Sequence, residues 1–530
     1  MHEKPCQAPD TGVVRTYDFV VSRGVLAPDG YQRSLTLVNG QFPGPTIEAN
    51  WGDTIEVKVT NNISAPLEGT AIHWHGFLQH RNQWMDGTSG FTQCPIAPQK
   101  SFTYRFRAEL FGTTWYHAHY SSQYADGVVG PIVIYGPSEE DYDIDLGPIL
   151  LSDYYHRNSR EIVKEIVSAR PGLPPPKPVS DNNLINGKMN FDCSTATITT
   201  AKCFNNAGFA RFKFQAGKRH RLRLINSGAD AIQRFSIDGH KMMVIENDFV
   251  AVEPYETEVV TLGVGQRTDV IVEGVGSPTA AYWIRSNATC AESRQPSALA
   301  IVQYEQTEPM VLPRSTPWSV PDSCDNDPLE KTIPLYKMSP GAPEATSTLS
   351  MTAGQDESGV WQWQMNSSSF RADVSYPSLL QAQTGNLTFP RERNVINTGP
   401  AKSYLFVLNN KSPVSHPMHL HGHNMYILAV GHGVWDGSIV RPENPQRRDV
   451  QNVPANGYMV WQADADNPGS WAFHCHIAWH AAVGLTVDIL EHPEQIVNLA
   501  VPDDVYRVCH DWREAFATGK IELLDSGVEN

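Results

Sequence analysis

The sequence predicts an all-β protein built from three consecutive β-sandwiches. Gly 39, Pro 38 and 41% hydrophobic residues, dealt out in short alternating segments over 530 positions, favour many strands and turns over long helices. That length exceeds one ordinary core, so several domains are expected. One alternating segment that closes on asparagine occurs three times, and paired histidines follow its first and third occurrences.

The recurring segment reads "WGDTIEVKVTNN" (51–62), "AGKRHRLRLINS" (216–227) and "PAKSYLFVLNN" (400–410). Apolar and polar residues alternate with period two, as in a half-buried strand running into a turn. "HWHG" (73–76) follows the first copy and "HLHG" (419–422) the third. The second is followed by "SIDG" (236–239), the same turn without histidine. Farther on, "TWYHAH" (114–119) in the first copy answers "SWAFHCH" (470–476) in the third. These matches set domain borders near 137 and 310, giving units 1–137, 138–310 and 311–530, with ligands in the outer two and a spacer between. Pro-rich 170–180 reads as a long loop of the middle unit, and 311–328 as a surface linker to the last.

The formal charge of −16 excludes a nucleic-acid partner, which needs a basic face, and an anionic membrane surface. No apolar run is long enough to span a bilayer. The first six residues contain no signal-like apolar segment, so the chain is either intracellular or a mature form with an added Met. Eight cysteines and sequons at Asn62, Asn287, Asn366, Asn386 and Asn410 favour the second, a secreted protein. With Cys475 set aside, seven cysteines remain, so at least one has no partner within the chain.

Residues i and i+2 of a strand share a face about 7 Å apart, so each His-x-His pair aims two imidazoles at one place. The pairs His73/His75, His117/His119, His419/His421 and His474/His476 come from the two outer units, which puts their target between those units. Eight imidazoles with no carboxylate in the motifs suit copper, and zinc or iron less well. Eight ligands divide over three metals as three, three and two. His423 shares a strand face with His421, and spacing alone does not exclude it. Cys475 points to the face opposite His474 and His476, where His480 and a more distant histidine, best His416, complete a two-imidazole, one-thiolate electron-transfer site. Two centres ~10–13 Å apart are then joined by one peptide link.

"HWHG", "HAH", "HPMHLHGH" and "HCHIAWH", in this order over nearly the whole chain, resemble the four copper-binding motifs of the multicopper oxidases, most closely ascomycete-type fungal laccases. The resemblance implies three cupredoxin-like Greek-key sandwiches and four copper ions. His416, Cys475 and His480 would bind the type 1 copper, and His73 with His419 the type 2. His75, His117 and His476 would hold one type 3 copper, and His119, His421 and His474 the other. It also implies one-electron oxidation of phenols or aryl amines coupled to four-electron reduction of O₂ to water, by a protein expected to act as a monomer. Leu485 stands where the family carries an axial Met, Leu or Phe; without an axial sulfur Cu(II) is less stable and the potential higher. Asp230 matches an acidic substrate contact, against the alternative of a solvated loop residue. Asp86 matches an acid assisting proton delivery to O₂, against the alternative of a turn-forming Asp-Gly. Asp525–Val528 resembles a tail that plugs the solvent channel in ascomycete laccases, although here Glu529 and Asn530 follow it. Family-like positions pair Cys94 with Cys509 and Cys290 with Cys324, leaving Cys193 and Cys203 to pair locally and Cys6 free.

The rival activities are narrower. A ferroxidase needs several carboxylates at the type 1 edge, and bilirubin or ascorbate oxidases carry Met at the Leu485 position. A copper-binding electron-transfer protein or a copper nitrite reductase has no use for eight paired histidines.

Overall fold

Each of the three recurring segments forms an inner strand of a sheet: Thr54–Asn61, Arg219–Asn226 and Ser403–Asn410. Each lies parallel to the long strand before it in the chain and antiparallel to one that follows. The terminal asparagine explains why all three copies close alike. Asn61, Asn226 and Asn410 are buried, and each side-chain amide donates to two carbonyls, Glu68 and Ile96, Ala231 and Leu262, or Val414 and Pro454. Each side-chain oxygen accepts the amide two residues on, at 2.9–3.0 Å. An Asx turn thus ends the strand while satisfying carbonyls that burial would otherwise orphan. The Asn410 sequon is therefore internal, whereas Asn62, Asn366 and Asn386 are exposed.

The computed structural model describes residues 8–197 and 200–524, so Cys6 and the Asp525–Val528 segment lie outside the described residues. Among the described residues, six sheets form three two-sheet sandwiches. The first pairs two four-stranded sheets, and the second and third each pair a six-stranded with a five-stranded sheet. The turns after the recurring strands share one conformation, with Gly76, Gly239 and Gly422 at φ of +80°, +70° and +70°, a region where a side chain is strained. At Gly422 a Cβ would also stand 2.6 Å from the Trp471 ring.

Apolar side chains of the first and last sandwiches run into one continuous core, from Phe19 and Trp74 to Phe473 and Trp512. Much of the middle sandwich keeps a separate core around Leu222, Phe235 and Val270. The outer two therefore meet face to face, and the Cys94–Cys509 disulfide links them across 415 residues. Cys193–Cys203 and Cys290–Cys324 are also bonded, as expected. The Pro-rich loop of the middle sandwich reaches the last one, where the Leu173 carbonyl accepts from the Trp361 indole at 2.7 Å. No helix among the described residues is long and apolar enough to cross a membrane.

Candidate metal centres

Two antiparallel strand pairs gather the histidines. Ile72–Trp74 against Gly112–Ala118 sets His73 opposite His117, and His416–Leu420 against Gly469–Cys475 sets His419 opposite His474. Side chains directly opposite on one face are near neighbours, and the sandwich interface closes the two sets onto each other. The His75 ring stacks on His419 with centroids 4.0 Å apart, His73 lies 4.1 Å from His421, and His476 lies 5.1 Å from both His75 and His117. Ligand atoms of His119, His421 and His474 fall within 4.8 Å of one another, as do those of His73, His75 and His117, and of His73, His419 and His421.

The surrounding backbone decides which nitrogen of each ring is free. Nδ1 of His73, His117, His419 and His474 donates to the carbonyls of Asp86, Ala118, Asp449 and Cys475 at 2.8–3.0 Å, so each Nε2 keeps its lone pair. His421 Nδ1 donates to the Asp86 carboxylate at 2.9 Å. His75 is reversed: Nε2 faces Asp449 Oδ1 at 3.1 Å and Nδ1 points inward. Nε2 of His73, His117 and His419, Nδ1 of His75 and both nitrogens of His476 are buried without a protein partner, and Nε2 of His421 faces Nε2 of His474 at 3.1 Å. Burial, reinforced by neighbouring imidazoles, holds His75, His117, His119, His419, His421 and His476 well below the usual histidine pKa, and burial brings His474 to about 4. Orphaned buried lone pairs converging on one space are costly unless cations fill it. Borderline-soft copper ions fit this all-imidazole set.

The second centre lies on the other face of the same strand. Cys475 Sγ stands 3.5 Å from His416 Nδ1 and 3.6 Å from His480 Nδ1, with the two nitrogens 3.1 Å apart. The centre of that triangle is about 2 Å from each corner, the length of a metal–imidazole bond. The Ser412 hydroxyl meets His416 Nε2 at 3.0 Å and reserves Nδ1 for the metal. Burial pushes the Cys475 thiol up and brings His480 to about 3, so copper must displace the thiol proton as it binds. Leu485 is fully buried, and its carbonyl accepts the Cys475 amide at 3.0 Å. His480 is half-exposed on the short helix Ala478–Ala481, and the Trp363 ring stands 4.6 Å from His416 and from His480.

Asp86 sits at a turn and beside the histidines at once. Gly87 after it turns at φ +81°, and its carboxylate also accepts from the Thr88 hydroxyl and approaches His73 Nδ1 at 3.4 Å. Asp230 is half-buried in the turn that follows the Arg219–Asn226 strand, and close packing, then Asp153 and Glu292, push its carboxyl up to about 8. His423 turns to Glu491, 3.1 Å from Nε2; burial opposes its charge, but Glu491 raises its pKa above the usual value.

Sequence reasoning missed Asp449 and Arg267. Arg267 of the middle sandwich is buried and donates both terminal nitrogens to Asp449 at 2.6 and 2.7 Å, while Asp449 meets His75 and His419. A signal existed: "RTDV" (267–270) and "RRDV" (447–450) repeat one motif in the second and third copies.

The multicopper oxidase family matches residues 20–139, 145–307 and 343–495. Oxidoreductase OpS5 of Beauveria bassiana (strain ARSEF 2860) is 39% identical over 98% of this chain and 89% of its own. Laccase-2 of Botryotinia fuckeliana is 38% identical over the same shares. The crystal structure of the laccase from Botrytis aclada superposes with a TM-score of 0.89 at 36% identity, covering 98% of this chain and 96% of the other. With three cupredoxin-like sandwiches and two clusters of copper-type donors in place, the chain belongs to the multicopper oxidases, and within them to the laccase-like enzymes of fungi.

Proposed function

We propose that this protein is a secreted, monomeric laccase that oxidises phenols or aryl amines, with His416, Cys475 and His480 as type 1 ligands. In this reading His73 and His419 hold the type 2 copper; His75, His117 and His476 hold one type 3 copper, and His119, His421 and His474 the other. The chain divides at 137 and 310. The observation that carries the reading is one strand, Gly469–Cys475, whose Cys475 serves the three-ligand centre while His474, beside it in the chain, serves the eight-histidine centre.

When bound, the coppers supply one-electron acceptance at the first centre and four-electron reduction of O₂ to two waters at the second. The protein supplies position, path and protons. The half-exposed His480 edge beside Trp363 offers an aromatic donor a ring to stack near, and the electron leaves across it. As the phenol O–H bond breaks, the Asp230 carboxylate takes the proton and a phenoxyl radical departs. The backbone between Cys475 and His476 gives a covalent route between the centres, and the His474 Nδ1 bond to the Cys475 carbonyl gives a second. Asp86 stands ready to pass protons beside His73 and His421. A cavity of about 80 Å³ lined by His117, His119, His474, His476 and Phe370 provides room for a molecule the size of O₂ beside the rings. Leu485 has no atom that could coordinate, so His416, Cys475 and His480 would hold the type 1 copper without a sulfur from that position, which would favour a high potential suited to phenols.

A copper-loaded spectrum with assays on a phenol and on Fe(II) tests the class. Intense blue absorption, a near-ultraviolet type 3 shoulder and preference for the phenol are expected; preference for Fe(II) would favour a ferroxidase. Asp230→Asn is expected to lower kcat/KM for phenols about a hundredfold, and to affect ferrocyanide, which carries no proton, less. Equal losses on both donors remove the proton role.

A further inference from the structure

The turn that carries Asp230 is held by a buried carboxylate of another strand. Asp153, near the end of Ile144–Tyr154, is 6% exposed. Its Oδ1 accepts the Ala229 amide at 2.6 Å, and its Oδ2 accepts the amides of Asp230 at 3.0 Å and Ala231 at 3.1 Å. The Tyr155 hydroxyl donates to Oδ2 at 3.2 Å and itself accepts from the Trp479 indole at 3.2 Å. On the other side of the turn, the Ala229 carbonyl accepts the Ala478 amide at 2.8 Å. Three consecutive residues of the middle sandwich are thus clamped between Asp153 and the short helix that presents His480.

We propose that Asp153 is a positioning residue for phenol oxidation: its carboxylate fixes the Asp230 turn against the His480 helix and places a negative neighbour beside Asp230. The inference rests on the reading of Asp230 as proton acceptor. All four donors, three backbone amides and the Tyr155 hydroxyl, point at the two Asp153 oxygens, a set that only an acceptor-only, ionised carboxylate satisfies, so the bonds that fix the turn also keep the charge in place. Asp153 and Glu292 act on Asp230 as acids, Tyr124 and Tyr155 interact with it as phenols, and the type 1 copper that Cys475 and His480 would hold is common to every variant compared. A negative neighbour disfavours the ionised form of Asp230 and so strengthens it as a base toward a phenol. Removing that charge lowers the Asp230 pKa, and the base form then persists to lower pH.

The test is kcat/KM against pH on the copper-loaded enzyme, with 2,6-dimethoxyphenol and with ferrocyanide, for the wild type, Asp153→Asn, Asp230→Asn and the double variant. In Asp153→Asn the acid limb for the phenol is expected to move about one pH unit downward relative to the ferrocyanide limb. In the double variant Asp153→Asn should add no further shift to that of Asp230→Asn. An unmoved phenol limb in Asp153→Asn, with Asp230→Asn still impaired on phenols, overturns this inference and leaves the Asp230 reading standing. If Asp230→Asn is itself without a phenol-specific effect, the underlying reading fails and this one with it. Should Asp153→Asn not accumulate as blue protein, Tyr155→Phe decides. Loss of one donor raises the Asp153 pKa, which weakens its charge and moves the limb the same way by a smaller step, and no movement overturns the proposal.

Discussion

Cys475→Ser is expected to abolish the blue absorption and to lower turnover of every donor, phenol or ferrocyanide, by at least about a thousandfold, equivalent to ~4 kcal/mol of barrier. The substitution removes the one sulfur of the three-ligand centre and leaves a hydroxyl that binds copper poorly and does not ionise at neutral pH. His474 is anchored by strand pairing and by its Nδ1 bond to the Cys475 carbonyl, and His476 by backbone bonds to the Pro417 carbonyl and the Tyr124 hydroxyl, none of which the substitution touches. Copper retained at the eight-histidine centre, with its near-ultraviolet shoulder, is therefore the expected companion result. Absorption spectra with copper analysis check both halves. A blue, active Cys475→Ser protein would end the assignment of the type 1 centre.

Arg267→Ala is expected to destabilise the protein by about 3–5 kcal/mol, because it leaves buried carboxylates without their cation. Arg267 pairs through both terminal nitrogens with Asp449, approaches Asp248 at 3.4 Å and lies over the Phe249 ring. It also fills the space above Gly76, where a Cβ would stand 2.5 Å from its guanidinium. One side chain of the middle sandwich thus joins the first and last sandwiches, through the Thr113 carbonyl and Asp449, beside His75 and His419. Its loss should lower Tm by about 5 °C or more and weaken copper retention at the eight-histidine centre without dimming the blue centre. Calorimetry and copper content per protein measure the two effects. A Tm within one degree of wild type would show that the pair does not bear on stability.

The residues that local repetition reveals were legible without a structure. Strand alternation puts His73 beside His75 and turns Cys475 away from His474, because period two is a property of the backbone. The recurring strands were visible for the same reason. The asparagine that closes each copy is visible too, but its two carbonyl acceptors lie up to 44 residues away, and nothing in the Asn410 sequon marks it as internal.

The carboxylates behind the rings leave no trace in local spacing. His75 and Asp449 are 374 residues apart, Ala229 and Asp153 are 76, and no spacing rule connects either pair. His423 shows the converse: its spacing matches that of a ligand, yet packing against Glu491 takes it out of the set. The chain by itself determined the strand pattern, the paired imidazoles and the opposed thiolate, since each follows from the geometry of neighbouring residues. Only the tertiary structure decided which nitrogen of each ring is free, which acids stand behind them and which charges are buried together, since proton affinity and hydrogen bonding depend on what distant strands bring into contact.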